Sequence, residues 1–495
     1  MSIHIPILII ISPLLAAFLV LFTRKYKIIF ATASIITSIV FILNLSSRVL
    51  SGDKVTYHLG GWQGPLGISL VVDGLSFFFS LIVLGLGLLV IVYSMPEKSY
   101  GRTYYFLLLV SLSSMIGVIY TADIFNMYVF YELLSLAVYL LIAYPKTGVT
   151  LRASFNYLIM GGVGLSFFLL GVGFLYAMTG TLDIFHIADR LPAAFNSSTR
   201  MVLMSFVLIA TGMGIKIAVF PLHGWLPDAH SMAPSPVSAL LSGVAVKIGI
   251  YCLIRVVYTA FSTEMFFLIN IHNLLMFLGV VSLLFGASMA MAQTDLKRLL
   301  AYSTINQLGI VLIGLGIGTE LGLTGALFHV LNHAIMKSAL FFCAGIMITE
   351  TGTRDIQGFS GFGRKQPAIT FAFVIASLGM IGIPPINGFA SKWLICLAAV
   401  EAGYTFLVVI ILIASTIAAA YYFRVIQVLF SSSLKQGPMP AHEGEQVIYR
   451  GNLFKSWPIY ILAAGCLLLG FLPTLGISLV KPAVSLLLFH VVPVP

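Results

Sequence analysis

The chain consists of a succession of apolar stretches, each about 20 residues long, separated by short segments that hold most of its charge. One such stretch is long enough to cross the roughly 30 Å hydrocarbon core of a bilayer as a helix. Of the 495 residues, 60% are hydrophobic and 8% are charged, whereas about a quarter of the residues of a soluble domain are charged. The sequence therefore excludes a soluble enzyme and predicts an all-α polytopic membrane protein.

About 14 membrane spans can be read along the chain. The first apolar run is followed by basic residues instead of being preceded by them, which is the reverse of a cleavable signal peptide, so we expect it to remain as span 1. The apolar tail over 483–494 leaves room for one short additional span. In order, the predicted spans lie near residues 3–22, 27–46, 71–93, 104–121, 123–143, 155–178, 201–220, 235–259, 273–292, 297–316, 322–348, 368–400, 404–430 and 457–478.

The distribution of positive charge predicts the orientation of the chain. Most of the 26 lysines and arginines lie in the odd-numbered loops between spans. Cytoplasmic loops of membrane proteins are enriched in these residues. The odd-numbered loops are therefore predicted to lie inside the cell and both termini outside, and we call the end of the bundle formed by these loops the odd-loop face.

Two spans contain matching interruptions by proline and glycine. Pro221 and Gly224 break span 7, and Pro385 and Gly388 break span 12. Because the two breaks are five spans apart, the segments run in opposite directions. Paired interrupted spans in the two halves of a transporter point to the ion path, although two unrelated proline kinks would give the same pattern.

The two breaks predict that the chain contains two inverted copies of one unit, and a shorter similarity between the starts of spans 5 and 10 supports this.

Three ionisable residues fall in the middle of apolar spans of the first repeat. Glu132 lies in span 5, Lys216 in span 7 and Lys247 in span 8. A charge at the centre of a bilayer is costly and usually functional. Burial favours the neutral forms of both residue types, whereas a close ion pair favours the charged forms. We therefore expect Glu132 and Lys216 to form a pair whose opening releases a proton; the alternative is a static salt bridge that fixes helix packing.

Span 11 carries His329, His333 and Lys337 at four-residue intervals, which places them on one face of a helix. We interpret this stripe as a proton relay from Lys247 to Lys392 in the second repeat, because histidine titrates near neutrality. Two histidines four residues apart can also bind zinc. A third ligand and the glutamate of the zinc motif are missing, so no metal site is predicted.

Single histidines of this stripe could be ordinary core residues, and Lys392 could be an interfacial lysine. His223, Asp228 and His230 flank the first break. They fit equally well as a hydrated access route for protons and as ordinary loop caps.

The segment from Pro221 to Gly243, followed by Lys247, resembles the signature of the antiporter-like membrane subunits. This family is shared by complex I-type NADH or F420H2 dehydrogenases, membrane-bound hydrogenases and multisubunit Mrp sodium/proton antiporters. The similarity extends over nearly the whole chain, through the stretches 60–73, 294–298, 329–337 and 384–392.

The resemblance implies a fourteen-helix core with inverted five-helix repeats at spans 4 to 8 and 9 to 13. The division that follows is 1–103 for spans 1 to 3, 104–260 for the first repeat, 272–430 for the second repeat, and 431–495 for an inner loop and span 14. It matches Glu132 and Lys216 to the family's coupling pair, Lys247 to its central lysine, His333 and Lys337 to its bridging positions, and Lys392 to its terminal lysine. The M-type subunit of complex I has a glutamate at the position of Lys392, so this chain resembles more closely the L-type or N-type subunit, the D-type subunit of Mrp or the equivalent hydrogenase subunit.

The resemblance also implies a proton-translocating subunit of a larger complex in a prokaryotic inner membrane, with other membrane subunits as partners. Protons, and sodium in an Mrp assembly, would be the transported ions. We expect no cofactor, no catalytic centre and no nucleic-acid partner for the chain itself. A stand-alone cation/proton antiporter and an integral-membrane enzyme are the alternatives.

Overall fold

The computed structural model describes residues 4–431 and 453–488. This part of the chain forms 21 α-helices and one two-stranded sheet. In chain order the helices are α1 (Ile5–Phe22), α2 (Lys27–Asn44), α3 (Ser46–Leu50), α4 (Gly74–Ser94), α5 (Arg102–Tyr120), α6 (Ile124–Ile142), α7 (Gly148–Thr179), α8 (Ile184–Ser197), α9 (Thr199–Ile217), α10 (Leu226–Met232), α11 (Ser235–Ala260), α12 (Ser262–Leu268), α13 (Ile271–Met291), α14 (Leu296–Ile317), α15 (Glu320–Thr351), α16 (Phe362–Lys365), α17 (Pro367–Ile381), α18 (Asn387–Glu401), α19 (Thr405–Phe430), α20 (Leu453–Phe471) and α21 (Pro473–Leu488).

Thirteen helices of the described residues are long and apolar enough to cross a membrane. The predicted span over 368–400 is not one helix, because the chain leaves the helical path between Ile381 and Asn387 and forms the shorter helices α17 and α18. Counted together, these two helices provide the remaining crossing. The polytopic helical fold with two interrupted spans is therefore confirmed.

A small hairpin before α4 departs from the purely helical prediction. Strand β1 (Val55–His58) pairs antiparallel with strand β2 (Ser69–Val72). The apolar pattern predicts span 3 from residue 71, but α4 begins only at Gly74. The cause is a capping box, in which the Asp73 carboxylate accepts from the Ser76 amide and the Ser76 hydroxyl accepts from the Asp73 amide.

An internal repeat is visible in backbone hydrogen bonds that recur at a constant spacing. A bridge joins Asp123 to Asp183, and an equivalent bridge joins Asp295 to Asp355. Both partners in the second bridge lie 172 residues after their counterparts in the first. Within each bridge the residue after the first aspartate donates to the residue before the second, at 2.9 Å and 3.0 Å. The first half of each repeat therefore closes in the same way.

The long helix inside each bridge repeats as well. Helices α7 and α15 both contain 32 residues, begin after a threonine cap and end at a left-handed glycine, Gly180 or Gly352. A positive φ is strained for side chains with a Cβ, so glycine suits both ends. The same spacing of 172 residues separates the two glycines.

The C-terminal region differs from the predicted span over 457–478. Helix α20 ends at Phe471, and a new helix, α21, begins at Pro473, a residue that suits the first turn of a helix but interrupts its interior. Helix α21 packs against the bundle, because the positions of Gly476 and Gly74 leave no room for a Cβ beside Phe328 and Pro482, respectively.

Helices α11, α14 and α15 form the centre of the bundle, and the apolar window of α11 is wholly buried. The outer helices α1 and α2 instead present a large apolar surface, as expected for lipid-facing helices. A polar side chain on the central helices is therefore removed from both lipid and bulk water.

Candidate functional site

The first break places Lys216 at the last turn of α9. The helix ends at Ile217, and Ala218 adopts a left-handed conformation. The Trp225 indole donates 2.7 Å to the Ile215 carbonyl and stacks on Tyr157 at a ring distance of 3.8 Å. The Ile215 carbonyl, in the last turn of the helix, thus accepts from both the Trp225 indole and the Ala218 amide, the latter at 3.1 Å.

Lys216 is buried, with 1% of its side chain exposed. Its Nζ donates to the Ser135 hydroxyl at 2.8 Å and the Tyr139 hydroxyl at 3.2 Å, both on α6. The ammonium also lies 5.4–5.7 Å from the ring centres of three tyrosines, a distance that favours a cation; these are Tyr131, Tyr139 and Tyr157.

The expected close ion pair between Glu132 and Lys216 is not formed, since their charged atoms are more than 4.0 Å apart. The physical reason is that the hydroxyls of Ser135 and Tyr139 accept the hydrogen bonds of the Lys216 ammonium instead. Glu132 is half-buried, and it shares one face of α6 with these two residues because they follow it by three and seven positions. The carboxylate is therefore a neighbour of the lysine site and not its direct partner.

Lys247 and Lys337 are linked across the three central helices. Lys247 follows a π-helical stretch over Leu241–Ala245, and its Nζ donates to the Ser242 carbonyl. The Ser242 hydroxyl lies 2.8 Å from the Thr304 hydroxyl, which donates to the Leu300 carbonyl at 3.0 Å. Lys337 donates to that same carbonyl at 2.7 Å. Residues of all three helices thus link the two predicted lysines, with Ser242 taking part through its carbonyl on one side and its hydroxyl on the other.

His329 and His333 lie on α15 with nearly parallel rings, 6.3 Å apart. His329 contacts the Ser391 hydroxyl at 2.9 Å and the Gln307 side-chain oxygen at 3.0 Å. Both ring nitrogens of His333 are buried and make no hydrogen bond to the described residues. Buried polar groups are nearly always paired with protein or water, so His333 is the position in this row that suits an internal water.

The second break places Lys392 beside the end of α17. Its Nζ donates to the carbonyls of Met380 and Ile381 at 2.8 and 2.9 Å. The Gln307 amide also reaches the Met380 carbonyl, at 3.4 Å. His329 and Lys392 are thus connected through Gln307, and the lysine is buried within the bundle instead of being interfacial.

The predicted break residues have different surroundings. A Cβ at Gly388 would lie 1.8 Å from the Gly379 carbonyl, so the close approach of two backbones requires glycine there. Gly224 has open space around it. Pro221 lies in the connection between α9 and α10, and Pro385 in the connection between α17 and α18.

The structure does not bring His223, Asp228 and His230 together as one route. His223 lies near the Phe285 ring of α13, at 4.6 Å, and Asp228 forms a partly exposed ion pair with Arg298. His230 is fully buried, with both ring nitrogens unpaired among the described residues. His223 precedes the short helix α10, and Asp228 and His230, two positions apart on that helix, point in different directions.

Two buried cations were missed by sequence reasoning. Arg255, assigned to a loop, is 4% exposed and its Nη2 donates to both Asp73 carboxylate oxygens at 2.6 and 2.7 Å. Lys297, also assigned to a loop, is 3% exposed at the start of α14. For Arg255 the available sequence signal was the apolar residues on either side of it, which indicate burial. For Lys297 it was the position two residues after Asp295, which caps α14.

Within the described residues, the predicted set is thus partly assembled. Lys247, Lys337, His333, His329 and Lys392 lie in one buried row, and Lys216 occupies a separate buried site. Amines and imidazoles that can gain and lose protons are the groups that a proton path through apolar surroundings needs.

Comparison with known proteins places this chain in a family. The family model described as NADH:quinone oxidoreductase/Mrp antiporter, TM, matches residues 121–418. The chain is 40% identical to the N-type subunit of NADH-quinone oxidoreductase from Desulforudis audaxviator, covering 95% of this chain and 96% of the relative. It is 32% identical to the D-type subunit of the Na(+)/H(+) antiporter from Bacillus subtilis, covering 97% and 95%.

A solved structure extends the similarity to the whole fold. A chain of the membrane-bound sulfane sulfur reductase, an archaeal respiratory membrane complex, superposes with a TM-score of 0.86 at 30% identity, covering 98% of this chain and 97% of that one. The predicted resemblance is confirmed: this chain belongs to the NADH:quinone oxidoreductase/Mrp antiporter family of transmembrane subunits.

Proposed function

We propose that this chain is the proton-translocating, antiporter-like subunit of a multisubunit complex in a prokaryotic inner membrane, with both termini outside. The observation that carries the proposal is the buried row of titratable side chains on facing central helices. Its five members, Lys247, Lys337, His333, His329 and Lys392, are each at most 6% exposed.

The two repeats, proposed over 104–260 and 272–430, would each contribute one end of the path. Lys216 and Glu132 belong to the first repeat and Lys392 to the second. Making or breaking the contact between Glu132 and Lys216 would change the charge presented to the central lysines. Moving one charge against 100 mV requires about 2.3 kcal/mol, which is comparable with the energy of one partly buried ion pair.

Other membrane subunits are the partners that the similarity supports, because the relatives are parts of complexes whose names include a quinone oxidoreductase and a sodium/proton antiporter. We propose protons as the ions moved along this row. Sodium would be exchanged for protons if the parent complex is of the Mrp kind.

Reconstitution of the complete complex in liposomes tests the function. A pH-sensitive dye inside the vesicles should report proton movement with the wild-type chain and a loss of at least about tenfold with Lys247→Met. Lys25→Gln, which removes an exposed cation, is the matched control and should leave the rate unchanged. Proton movement by Lys247→Met at the wild-type rate would contradict the proposal.

A further inference from the structure

An open cavity of about 530 Å³ enters the bundle at the odd-loop face. We call it the vestibule. Its walls come from the ends of several helices that meet at this face, and its lining includes Tyr144, Thr147, Ala233, Lys297 and Arg354. The function proposed above leaves this cavity and its lysine unused.

Lys297 lies at the inner end of the vestibule. Its Nζ donates to the Ala233 carbonyl at 2.7 Å and to the Ser238 hydroxyl at 3.3 Å. Ser238 in turn donates to the His230 carbonyl at 2.7 Å. The amine therefore contacts both the open cavity and the buried segment that carries His230.

Beyond Lys297, several buried polar atoms make no hydrogen bond to the described residues. They are both ring nitrogens of His230, the hydroxyl of Ser338 and both ring nitrogens of His333. Unpaired groups of this kind ordinarily bind internal water. The described structure thus contains buried polar groups, on α10 and α15, that can hold water.

His230 is within electrostatic range of Lys297, Lys337 and Lys247. A Cβ at Gly243 would lie 2.3 Å from the Ser338 hydroxyl, so Ser338 packs against α11 one turn before Lys247. His230 and Ser338 therefore provide polar groups in the part of the bundle that holds Lys297 and Lys247.

The fold itself does not require a lysine at position 297. The repeat-related position, 172 residues earlier, is Phe125. Both residues follow an aspartate that caps the next helix, Asp123 for α6 and Asp295 for α14. Since the first repeat forms this turn with phenylalanine, the buried amine is an addition specific to the second repeat.

We propose that Lys297 is the residue that takes up protons from the vestibule and passes them towards Lys247 and Lys337, an inference that rests on the function proposed above. In this step the neutral amine of Lys297 accepts a proton from water in the vestibule. The Lys297 ammonium then passes this proton to a water beside His230 or to the His230 imidazole, and no other bond changes. The charged groups that face the amine are Asp295 and Arg354, with His230 on the inner side.

Chemical rescue in the complete reconstituted complex tests this role. Lys297→Cys removes the amine, and 2-aminoethyl methanethiosulfonate then attaches an aminoethyl group through a disulfide, which restores an amine at nearly the original length. Proton movement should fall at least about tenfold in the variant and return to within about threefold of wild type after the reaction. Methyl methanethiosulfonate, which adds no amine, should not restore it. The wild-type complex treated with both reagents controls for Cys252, Cys343, Cys396 and Cys466.

Lys297→His provides an independent measurement if the cysteine variant does not assemble. Histidine keeps a titratable nitrogen with an ordinary pKa of about 6.5 instead of about 10.4, so proton movement should recover as the pH on the odd-loop side falls. A loss that is equal at every pH would indicate a purely structural lysine and overturn the proposal. Wild-type rates in Lys297→Cys would do the same, whereas absence of proton movement in the wild-type complex would reject the proposed function instead.

Discussion

The ammonium group of Lys216 donates to the hydroxyl of Ser135 at 2.8 Å. This contact occupies the lysine while Glu132, one helical turn away on α6, stays beyond ion-pair distance. Glu132 and Ser135 share a helix face, so the carboxylate lies on the same side of α6 as the hydroxyl that binds Lys216. We propose that rotamer changes of Glu132 and Lys216 convert this open arrangement into the paired one.

Replacing the carboxylate should separate transport from assembly. We expect Glu132→Gln to reduce proton movement at least about tenfold, because the amide cannot provide the charge that holds Lys216 protonated in the paired arrangement. The complex should still assemble, since Glu132 forms no ion pair that the variant would break. Dye-reported proton movement measures the effect, with the exposed residue in Glu401→Gln as control. Wild-type pumping by Glu132→Gln would refute the assigned role.

A single methyl group should disturb the Lys216 site. A Cβ at Gly161 would lie 2.1 Å from the Tyr139 hydroxyl and 2.9 Å from the Lys216 Nζ. We expect Gly161→Ala to destabilise the protein by about 1–3 kcal/mol and to slow transport by moving the tyrosine. Gly162→Ala is the matched control, because a Cβ there meets open space. Equal behaviour of the two variants, in thermal unfolding and in transport, would argue against the described packing.

The two histidines of α15 should differ in what they contribute to stability. His329→Leu leaves the Gln307 and Ser391 side chains without their partner, at about 1–3 kcal/mol for each buried group. His333→Leu breaks no hydrogen bond to the described residues, so its unfolding temperature should stay close to that of the wild type. Both variants should lose proton movement. The prediction is contradicted if His333→Leu is less stable than His329→Leu, or if His333→Leu moves protons at the wild-type rate.

The Asp73–Arg255 pair predicts a pH dependence of stability. Burial alone would raise the pKa of the Asp73 carboxyl, but the charge and hydrogen bonds of Arg255 outweigh burial and hold it below its ordinary value. A depressed pKa in the folded state stabilises the protein above the unfolded pKa, and this stabilisation is lost as the pH falls through the folded pKa. Asp73→Asn should therefore reduce the free energy of unfolding at neutral pH by about 3–5 kcal/mol. The unfolding temperature should fall accordingly.

Below about pH 4 the difference in stability between the wild type and Asp73→Asn should begin to narrow, because the carboxyl of the unfolded wild-type chain takes up a proton while the folded carboxyl, with its lowered pKa, stays ionised. Thermal unfolding in detergent between pH 7 and pH 3 measures this. The exposed residue in Asp53→Asn is the control, and a difference that is constant over this range would contradict the assignment.

Sequence periodicity and proline placement predicted most of the fold, because apolar length dictates a membrane helix and because prolines such as Pro221 and Pro385 interrupt it. The same reasoning identified Lys247, Lys337 and Lys392, since a lysine in the middle of an apolar stretch has few alternatives to burial among helices.

Pairwise contacts could not be predicted in this way. A charge pattern cannot show that Ser135 and Tyr139 compete with Glu132 for Lys216, because the two hydroxyls and the carboxylate all lie on the same face of α6. Lys297 escaped notice for a different reason. It lies at the start of a helix, where sequence reasoning places loops, and its amine is covered by Ala233, just after α10, and by Ser238 on α11.

The exchange of Phe125 for Lys297 between the two repeats has a wider consequence. If two inverted repeats of identical sequence lined a proton path, that path would be the same from either side of the bilayer. The difference between Phe125 and Lys297 removes this equivalence, so a buried amine would meet protons at only one end of such a path.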